Sequence, residues 1–323
     1  MEYSTIKPIE KKISRFIVGT MNVIDDPETL DASFERLDAA IERGITVFDT
    51  AMGYGRGTTE TALGKYFDSR KNREDVVLIS KCCHPAPPFT CHRVNAGAIK
   101  EDFENALRKM KTDYIDIYLL HRDDPTTPVS EIIDTMYEYY KKGQMLAYGV
   151  SNWTIPRIEE ANAYAASKGI PGFIVSSPNY SLMQQYAEPW PMNCVTVAGP
   201  ENKENRKWYA EHKMPVLAYS SMAMGMASGR VTREDQSILS PNGAKAYIGE
   251  ENFKRLDRAA ELAKEKGCTV AQISMAFVLD GEMDVYPIIG AANAAEMDSS
   301  LAAMDIKLTP QEIAYLDLES DER

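Results

Sequence analysis

The sequence predicts an α/β protein folded as a single (β/α)8 barrel (a TIM barrel), and three observations support this. Short runs of β-branched and aliphatic residues recur along all 323 residues, and we count eight of them. Segments with the apolar spacing of helices separate these runs, which is typical of a parallel sheet covered by helices. No Pro-, Gly- or Ser-rich linker and no change of composition marks a second domain. We therefore expect residues 1–323 to form one barrel domain.

The predicted strands are mostly apolar on both faces. In chain order they are RFIVGT (15–20), ITVFDT (45–50), VVLISK (76–81), YIDIYLLH (114–121), LAYGVS (146–151), GFIVSS (172–177), PVLAYS (215–220) and VYPIIGA (285–291). The residues before the first strand form an N-terminal extension. A doubly wound parallel sheet would show the same alternation of strands and helices, and it is the alternative architecture.

Two segments show the helical pattern most clearly, with apolar residues three or four positions apart on one face. The predicted core faces are Ile99, Phe103, Ala106, Leu107 and Met110 in one helix, and Val129, Ile132, Ile133, Met136 and Tyr140 in the other. Two connections are long: residues 82–98 after the third predicted strand and 221–250 after the seventh. In a barrel both would lie at the carboxyl end of the strands, where active sites are built.

Composition excludes several classes of protein. The net charge of −12 argues against nucleic-acid binding. The first residues, MEYSTIKPIEKKIS, lack the apolar region of a secretory signal, and no run of 18 apolar residues predicts a membrane span. Five cysteines, an odd number, favour reduced thiols and a cytoplasmic protein. The sequence leaves the oligomeric state open.

Polar side chains end four of the predicted strands. They are Asp49, Lys81, His121 and Ser151. In a barrel the carboxyl ends of all strands meet at one mouth, so these groups would converge although they are distant in sequence. Taken singly, a strand-end aspartate could cap the next turn and a lysine could extend to solvent. Four different polar groups at one mouth instead indicate a site.

Four segments together resemble the aldo-keto reductase superfamily. They are FDTAMGYGRGTTETALGKYF (48–67), LISK (78–81), DYIDIYLLHRDD (113–124) and YGVSNW (148–153), and the resemblance covers about residues 13 to 305. It implies an oxidoreductase in which hydride passes between a nicotinamide cofactor, NAD or NADP, and a carbonyl carbon. It also implies a catalytic tetrad of Asp49, Tyr54, Lys81 and His121, with Tyr54 as general acid and base.

The chemistry of the four side chains suits these roles. A tyrosine is a poor acid at neutral pH, and we expect the Lys81 ammonium to lower the pKa of Tyr54. Asp49 would pair with Lys81, since an unpaired buried charge is costly. His121 would then orient or polarise the carbonyl oxygen of the substrate.

The resemblance also implies which residues hold the cofactor. Ser151 and Asn152 would bind the nicotinamide amide, and Tyr219 would stack on the ring, as aromatic side chains do on flat groups. A glutamine common in the family near the sixth strand is missing, and Ser177 or Asn179 stands in that neighbourhood. The full set of cofactor contacts we expect is Thr20, Met21, Asp49, Ser151, Asn152, Tyr219, Ser220, Met222, Gly290, Ala291, Glu296 and Ser300.

The segment after the last strand departs from the family pattern. Family members commonly carry basic residues there that bind the 2′-phosphate of NADP, whereas IIGAANAAEMDSSLAAMD (288–305) contains no Lys or Arg. Glu296 would repel a phosphate and could accept a hydrogen bond from a ribose hydroxyl. We therefore expect NAD(H) to be tolerated or preferred. The alternative is that Arg230, Arg233 or Lys245 of the 221–250 loop binds the phosphate.

The substrate is expected to be a small carbonyl compound or alcohol. The residues expected to contact it are His84 and Trp153, with further lining from the insert at 188–200. The histidines near the mouth favour a sugar or another polyhydroxylated carbonyl compound. Two other functions share this scaffold: a cofactor-using epimerase or lyase without net redox change, and a non-catalytic regulatory binding protein.

The segment LISKCCHPAPPFTCH (78–92) also suggests a metal site. Adjacent Cys82 and Cys83 would point to opposite faces of a strand, and the other Cys and His residues lack the paired spacing of structural zinc sites. We therefore expect no metal here, and we interpret the segment as one side of a substrate site that begins at Lys81.

Overall fold

The strands confirm the barrel. A computed structural model of the chain describes residues 1–85 and 87–323. An antiparallel pair, β1 (Tyr3–Ser4) and β2 (Ile13–Ser14), forms the N-terminal extension. The parallel strands are β3 (Ile17–Gly19), β4 (Val47–Asp49), β5 (Val77–Cys82), β6 (Ile115–Leu120), β7 (Met145–Ser151), β8 (Ser176–Ser177), β9 (Val216–Ala218) and β10 (Val285–Ile289). They form one closed barrel in sequence order, which excludes a doubly wound sheet.

The contacts within the chain define two compact units, residues 1–176 and 177–323. The helices of the first unit are α1 (Leu30–Glu42), α2 (Thr59–Arg70), α3 (Ala96–Met110), α4 (Val129–Lys141) and α5 (Ile155–Lys168). Those of the second are α6 (Lys203–His212), α7 (Pro241–Tyr247), α8 (Glu250–Lys266), α9 (Val270–Asp280), α10 (Ala294–Leu301) and α11 (Pro310–Leu316). That residues 1–323 form a single domain stays a prediction.

The strand register of the first unit places the predicted polar residues at one edge. Asp49 is the last residue of β4 and is paired with Ile79, two residues before Lys81 on β5. Lys81 is paired with Leu119, two residues before His121. Because β4, β5 and β6 are parallel neighbours, all three side chains emerge at their carboxyl ends.

The helices α3 and α4 bury the predicted faces with two departures. In α3, Ile99, Phe103, Ala106 and Met110 are buried as expected, whereas Leu107 is half-buried. In α4, Tyr139 is buried instead of the predicted Tyr140. The ring of Tyr139 lies 4.5 Å from that of Phe103, and its hydroxyl donates to the Glu104 carboxylate at 2.8 Å. The aromatic contact and the hydrogen bond lower the free-energy cost of burying Tyr139.

A buried carboxylate anchors the opposite end of β6. Asp116 is fully buried and pairs with Lys11 and Arg73, both at 2.9 Å. It also accepts a hydrogen bond from the backbone N–H of Leu78 at 3.0 Å. This paired cluster satisfies the charge that burial would otherwise make costly. It ties the N-terminal extension to β5 and β6 at the end away from the polar strand ends.

The sixth strand is much shorter than predicted. The sequence suggested 172–177, whereas β8 contains only its last two residues. Asn162 of α5 accepts from the backbone N–H of Phe173 at 2.7 Å and donates to its carbonyl at 3.2 Å. A helix side chain therefore takes both backbone groups that a strand residue would offer to the sheet.

The connection after β9 is more ordered than predicted. The sequence suggested a loop over 221–250, but α7 lies within it, with the Ser240 hydroxyl accepting from the Gly243 N–H at 3.1 Å and Pro241 as first helical residue. Before α7 the chain turns through left-handed residues at Ser220, Ala223 and Met224. Non-glycine residues in this conformation are uncommon and often mark functional segments.

Within residues 1–85 and 87–323, no helix combines the length and the apolar character needed to cross a membrane.

Candidate active site

Lys81 lies at the centre of the candidate site and is almost fully buried. Its Nζ is 2.5 Å from Asp49 Oδ1, 3.0 Å from the Thr50 carbonyl oxygen and 3.3 Å from the Tyr54 hydroxyl. An ammonium has three protons and no acceptor, so these three partners take all of them. The Tyr54 oxygen therefore accepts from Lys81, and its own proton is directed to another group.

The loop after β4 fixes Tyr54 in this place. The N–H of Thr50 donates to the Ile79 carbonyl at 2.8 Å and that of Met52 to the Lys81 carbonyl at 3.2 Å, so the loop follows β5. Tyr54 then begins a tight turn in which Gly55 has a φ of 55°. A Cβ on Gly55 would lie 2.5 Å from Thr59 Oγ1. Both the conformation and the space therefore require glycine.

Burial and charge set the protonation of these groups. Loss of solvent raises the pKa of Asp49, and Lys81 opposes the rise. Burial by itself would lower the pKa of Lys81, but Asp49 and Tyr54 outweigh it and the net pKa is raised. Burial raises the pKa of Tyr54, and the ammonium offsets only part of the rise. Lys81 thus lowers the pKa of Tyr54 as expected, but desolvation of the phenolate exceeds its attraction and the net pKa is raised.

His121 completes the predicted tetrad. Its ring centroid lies 5.7 Å from that of Tyr54, in an edge-on arrangement. Burial, reinforced by the positive charge of Lys81, holds the pKa of His121 well below its usual value, so the ring is neutral at pH 7. A neutral imidazole still carries one N–H, which can donate to a carbonyl oxygen.

The residues after β7 brace the strand end that carries His121. The Asn152 side chain donates to the His121 carbonyl at 3.2 Å and to Ser151 Oγ at 3.0 Å. The Trp153 indole N–H donates to the Arg122 carbonyl at 3.1 Å. Trp153, which the sequence suggested as a substrate contact, is only 1% exposed. Its burial favours a packing role over substrate contact.

The other cofactor candidates of the first unit also lie at strand ends. Thr20 is buried and its hydroxyl donates to the Asp49 carbonyl at 2.9 Å, whereas Met21 is 53% exposed. Ser151 and Asn152 are buried at the end of β7, and Asn152 has a left-handed φ of 61°. Hydroxyl and amide groups both donate and accept, as a carboxamide ligand requires. That Ser151 and Asn152 contact the nicotinamide amide stays a prediction.

In the second unit, hydrogen bonds hold the candidate stacking residue Tyr219. Its hydroxyl donates to the Val195 carbonyl at 3.3 Å, and its ring lies 6.1 Å from that of Trp190. Asn179 donates to the Tyr219 carbonyl at 3.2 Å and to the Tyr247 hydroxyl at 3.1 Å. The sequence left Ser177 or Asn179 open as the residue near the nicotinamide amide, and the amide N–H groups of Asn179 donate to protein partners. Asn179 therefore supports Tyr219.

The remaining candidates of the second unit follow strand ends or form a helix cap. Ser177 is fully buried and donates to the Leu217 carbonyl at 2.8 Å. Ser220 and Met222 are half-buried at the left-handed turn, and Gly290 and Ala291 follow β10. At the start of α10, Glu296 Oε2 accepts from the Ala292 N–H at 2.9 Å, and the Ser300 hydroxyl donates to the Glu296 carbonyl at 3.0 Å.

The cysteine-rich segment holds no grouped metal ligands. In residues 1–85 and 87–323 no three His, Cys, Asp or Glu side chains come together in a way that could bind an ion. Cys82 and Cys83 are buried, and Cys91 is exposed. His84 is half-buried beside His121, with ring centroids 4.7 Å apart. Ala86, in the predicted 82–98 loop, lies outside the described residues.

A buried acid supports β5 from behind. Glu60 of α2 is 1% exposed and accepts a hydrogen bond from the Ser80 hydroxyl at 2.9 Å. The nearest cation is Lys109, whose Nζ is 3.7 Å from Glu60 Oε2. Burial raises the pKa of Glu60 to about 6. Since Ser80 precedes Lys81, this carboxyl lies directly behind the candidate site.

Replacing Glu60 with glutamine should change how stability depends on pH. The pKa of Glu60 is about 4.3 in the unfolded chain and about 6 in the folded protein. Between these pH values the folded state therefore binds more protons than the unfolded state. Wild-type stability should therefore contain a contribution of about 2 kcal/mol that is present below pH 4 and lost as the pH rises through 6. Glu60→Gln should lack this contribution.

Urea unfolding of both proteins at several pH values between 4 and 7 measures the difference. Glu35→Gln, at an exposed position of α1, is the matched control and should follow the wild type. Parallel pH profiles for wild type and Glu60→Gln would show that the buried carboxyl does not titrate in this range.

Comparisons with known proteins agree with the geometry. The model of the aldo/keto reductase family matches residues 15–319. The chain is 27% identical to the uncharacterized oxidoreductase YrpG of Bacillus subtilis, over 98% of this chain and 95% of that protein. It is 29% identical to the aldo-keto reductase YhdN of the same organism, over 93% and 87% of the two chains. Among solved structures it is similar to a thermostable aldo-keto reductase in complex with the inhibitor epalrestat. That comparison has a TM-score of 0.75, 24% identity and coverage of 99% of this chain and 100% of the other, which supports the fold.

Proposed function

Because the chain belongs to the aldo/keto reductase family, whose members are NAD(P)-dependent oxidoreductases of carbonyl compounds, we propose that it reduces a small aldehyde or ketone with Tyr54 as proton donor. In the reverse direction Tyr54 accepts the proton of an alcohol. The observation that carries the proposal is the chain of contacts from Asp49 through Lys81 to the Tyr54 hydroxyl, beside a neutral His121.

The nicotinamide cofactor, when bound, supplies or accepts the hydride. Ser151 and Asn152 offer hydroxyl and amide groups suited to its carboxamide. In the second unit, the left-handed turn at Ser220 and the half-buried Tyr219 are the proposed contacts for its other parts, with Met222 beside them. Stacking on Tyr219 would hold a flat ring at little cost in side-chain entropy.

Tyr54 acts as the acid because its proton is both retained and directed. The raised pKa keeps the phenol protonated at neutral pH. Lys81 donates to the phenol oxygen, so the O–H of Tyr54 is free to donate to the substrate oxygen. Once the proton has moved, the ammonium stabilises the phenolate, and Asp49 holds the ammonium in place. His121 orients the same substrate oxygen through its N–H.

A panel of aldehydes, ketones and sugars with NADH or NADPH tests this function, with nicotinamide absorbance and product analysis as readouts. Consumption of cofactor with formation of an alcohol is the expected result. An isomerised or dehydrated product without net consumption of cofactor would identify the non-redox alternative. Absence of turnover together with a tightly bound protein partner would identify a regulatory protein.

We further propose that NAD(H) serves at least as well as NADP(H). The segment 288–305 carries no Lys or Arg, and the exposed Glu296 would repel a 2′-phosphate. Of the alternative basic residues, Arg233 is paired with Glu250 at 2.8 Å and Asp257 at 2.9 Å. Lys245 donates to the Glu188 carbonyl at 3.1 Å. Arg233 or Lys245 would have to leave these partners to reach a phosphate. Arg230 is exposed and stays the third alternative for binding it.

The substitution Glu296→Lys should tighten NADPH binding by about tenfold, equivalent to about 1.4 kcal/mol, and leave NADH binding less affected. It replaces a repelling charge by an attracting one. Quenching of intrinsic fluorescence by each nucleotide gives the two dissociation constants. Glu204→Lys, also in the first turn of a helix but in α6, is the matched control. A wild-type preference for NADPH of a hundredfold or more would refute the proposal.

A further inference from the structure

Three rings form a continuous row at the candidate site. His121 lies between Tyr54 and His84, with ring centroids 5.7 Å and 4.7 Å away, and both contacts are edge-on. His121 is almost fully buried, whereas His84 is half-buried. A substrate oxygen held by Tyr54 and His121 therefore has a second imidazole close to its neighbouring carbon.

The hydrogen-bonding role of His84 is fixed by its own loop. His84 Nδ1 lies 2.9 Å from the Pro85 carbonyl oxygen. A carbonyl oxygen only accepts, so Nδ1 must carry a proton and donate it. Burial lowers the pKa of His84, with Arg122 and Arg93 adding to the effect, so the ring is neutral at pH 7. In this tautomer Nε2 is a hydrogen-bond acceptor, unlike the donors of Tyr54 and His121.

An ion pair between the half-buried Arg93 and the buried Asp102 holds the backbone of His84 in place. Arg93 forms a two-pronged pair with Asp102, with both bonds at 3.1 Å. Asp102 Oδ2 also accepts from the Cys83 N–H at 2.8 Å, where Cys83 has a left-handed φ of 60°. Arg93 donates to the His84 carbonyl at 3.3 Å. Sequence reasoning missed Arg93 and Asp102, because nothing in their spacing indicates that they pair. The pair sets the turn that carries His84 toward His121.

We propose that His84 Nε2 accepts a hydrogen bond from a hydroxyl on the carbon next to the reacting carbonyl, so that the enzyme selects α-hydroxy aldehydes and ketones. The inference rests on the proposed function and specifies its substrate class. The carbonyl oxygen meets two donors, Tyr54 and His121, and the adjacent hydroxyl meets an acceptor. A bound substrate without that hydroxyl would keep water from Nε2 without offering it a hydrogen bond. The lost hydrogen bond weakens transition-state binding of that substrate.

Two pairs of substrates that share a carbon skeleton test the inference. Lactaldehyde is compared with propionaldehyde, and hydroxyacetone with acetone, each by kcat/KM. The ratio of hydroxylated to unhydroxylated substrate should fall by about tenfold or more in His84→Leu, since a good hydrogen bond to a substrate hydroxyl contributes at least that much discrimination. Dividing the variant ratio by the wild-type ratio removes the intrinsic reactivity of the aldehydes.

Two further variants serve as a rescue and a matched control. In His84→Gln a carbonyl oxygen can accept in place of Nε2, so part of the preference should return. His92→Leu changes the other histidine of the same loop and should leave the ratio at its wild-type value. The melting temperature of each variant shows whether it is folded, and His84→Gln answers the question should His84→Leu not fold.

The outcomes separate the two proposals. Reduction of both substrates with equal losses in His84→Leu would overturn the role of His84 and leave the reductase function intact. Failure of the wild type to reduce either substrate pair, while it reduces other members of the carbonyl panel, would overturn this inference alone. Failure with the whole panel and either nucleotide would overturn the proposed function and this inference with it.

Discussion

Tyr54→Phe is expected to lower kcat for carbonyl reduction by about 10²–10⁴-fold, with little change in melting temperature or nucleotide affinity. The substitution removes the hydroxyl that protonates the substrate oxygen, and with it the weakest of the three acceptors of Lys81. The aromatic ring stays edge-on to His121, and the Asp49–Lys81 pair stays intact. Steady-state kinetics with lactaldehyde, together with single-turnover oxidation of NADH, measures the loss in the chemical step.

Tyr164→Phe provides the matched control for this experiment. The Tyr164 hydroxyl donates to Asp134 at 2.9 Å on an exposed part of the first unit, away from the strand ends. The Tyr164→Phe variant also loses a hydroxyl, but one that lies away from the site, so its kcat should equal that of the wild type. Unchanged single-turnover hydride transfer in Tyr54→Phe would refute Tyr54 as the proton donor.

Breaking the Asp49–Lys81 pair should destabilise the protein by about 3–5 kcal/mol, because each single substitution leaves the other charge buried and unpaired. Both side chains are 3% exposed and their charged atoms are 2.5 Å apart. Lys81→Met leaves the Asp49 carboxylate buried without its partner, and Asp49→Asn does the same to the Lys81 ammonium. The double variant Asp49→Asn/Lys81→Met removes both charges and should recover much of the loss.

Urea unfolding of the two single variants and the double variant gives the coupling between the charges. The exposed pair Lys100–Glu138, at 3.1 Å with side chains 44% and 51% exposed, is the control. Lys100→Met should cost about 1 kcal/mol or less. If the losses of the two single variants simply add in the double variant, the pair makes no joint contribution and the argument fails. Activity should be lost in all three Asp49 and Lys81 variants, including the stable one.

The fold was predictable because each strand and each helix of the barrel has its own hydrophobic pattern in the sequence. The predicted runs 45–50, 76–81 and 146–151 end within a residue of the observed strands β4, β5 and β7, since hydrophobic pattern and strand end coincide there. The sixth strand was overestimated because its backbone partners come from Asn162, a helix residue with no signature in the strand itself. Long-range side-chain bonds of this kind override local preference.

The candidate site was predictable in its members and less so in its electrostatics. Residue types at strand ends and the family resemblance indicated Tyr54 and Lys81. The direction of the pKa of Tyr54 could not follow from the identity of its neighbours alone, because it depends on how much water the fold excludes. The tautomer of His84 depends on the carbonyl of Pro85, and that contact is a property of the folded loop.

The charges of the catalytic cluster cancel, since Asp49 and Lys81 oppose each other and both histidines are neutral. Dissolved ions screen a buried pair far less than exposed groups. The rest of the chain is acidic, with a net charge of −12, while a dinucleotide is an anion. We therefore expect ionic strength to affect how fast the protein and a dinucleotide associate, and to have little influence on the proposed transfer of the proton.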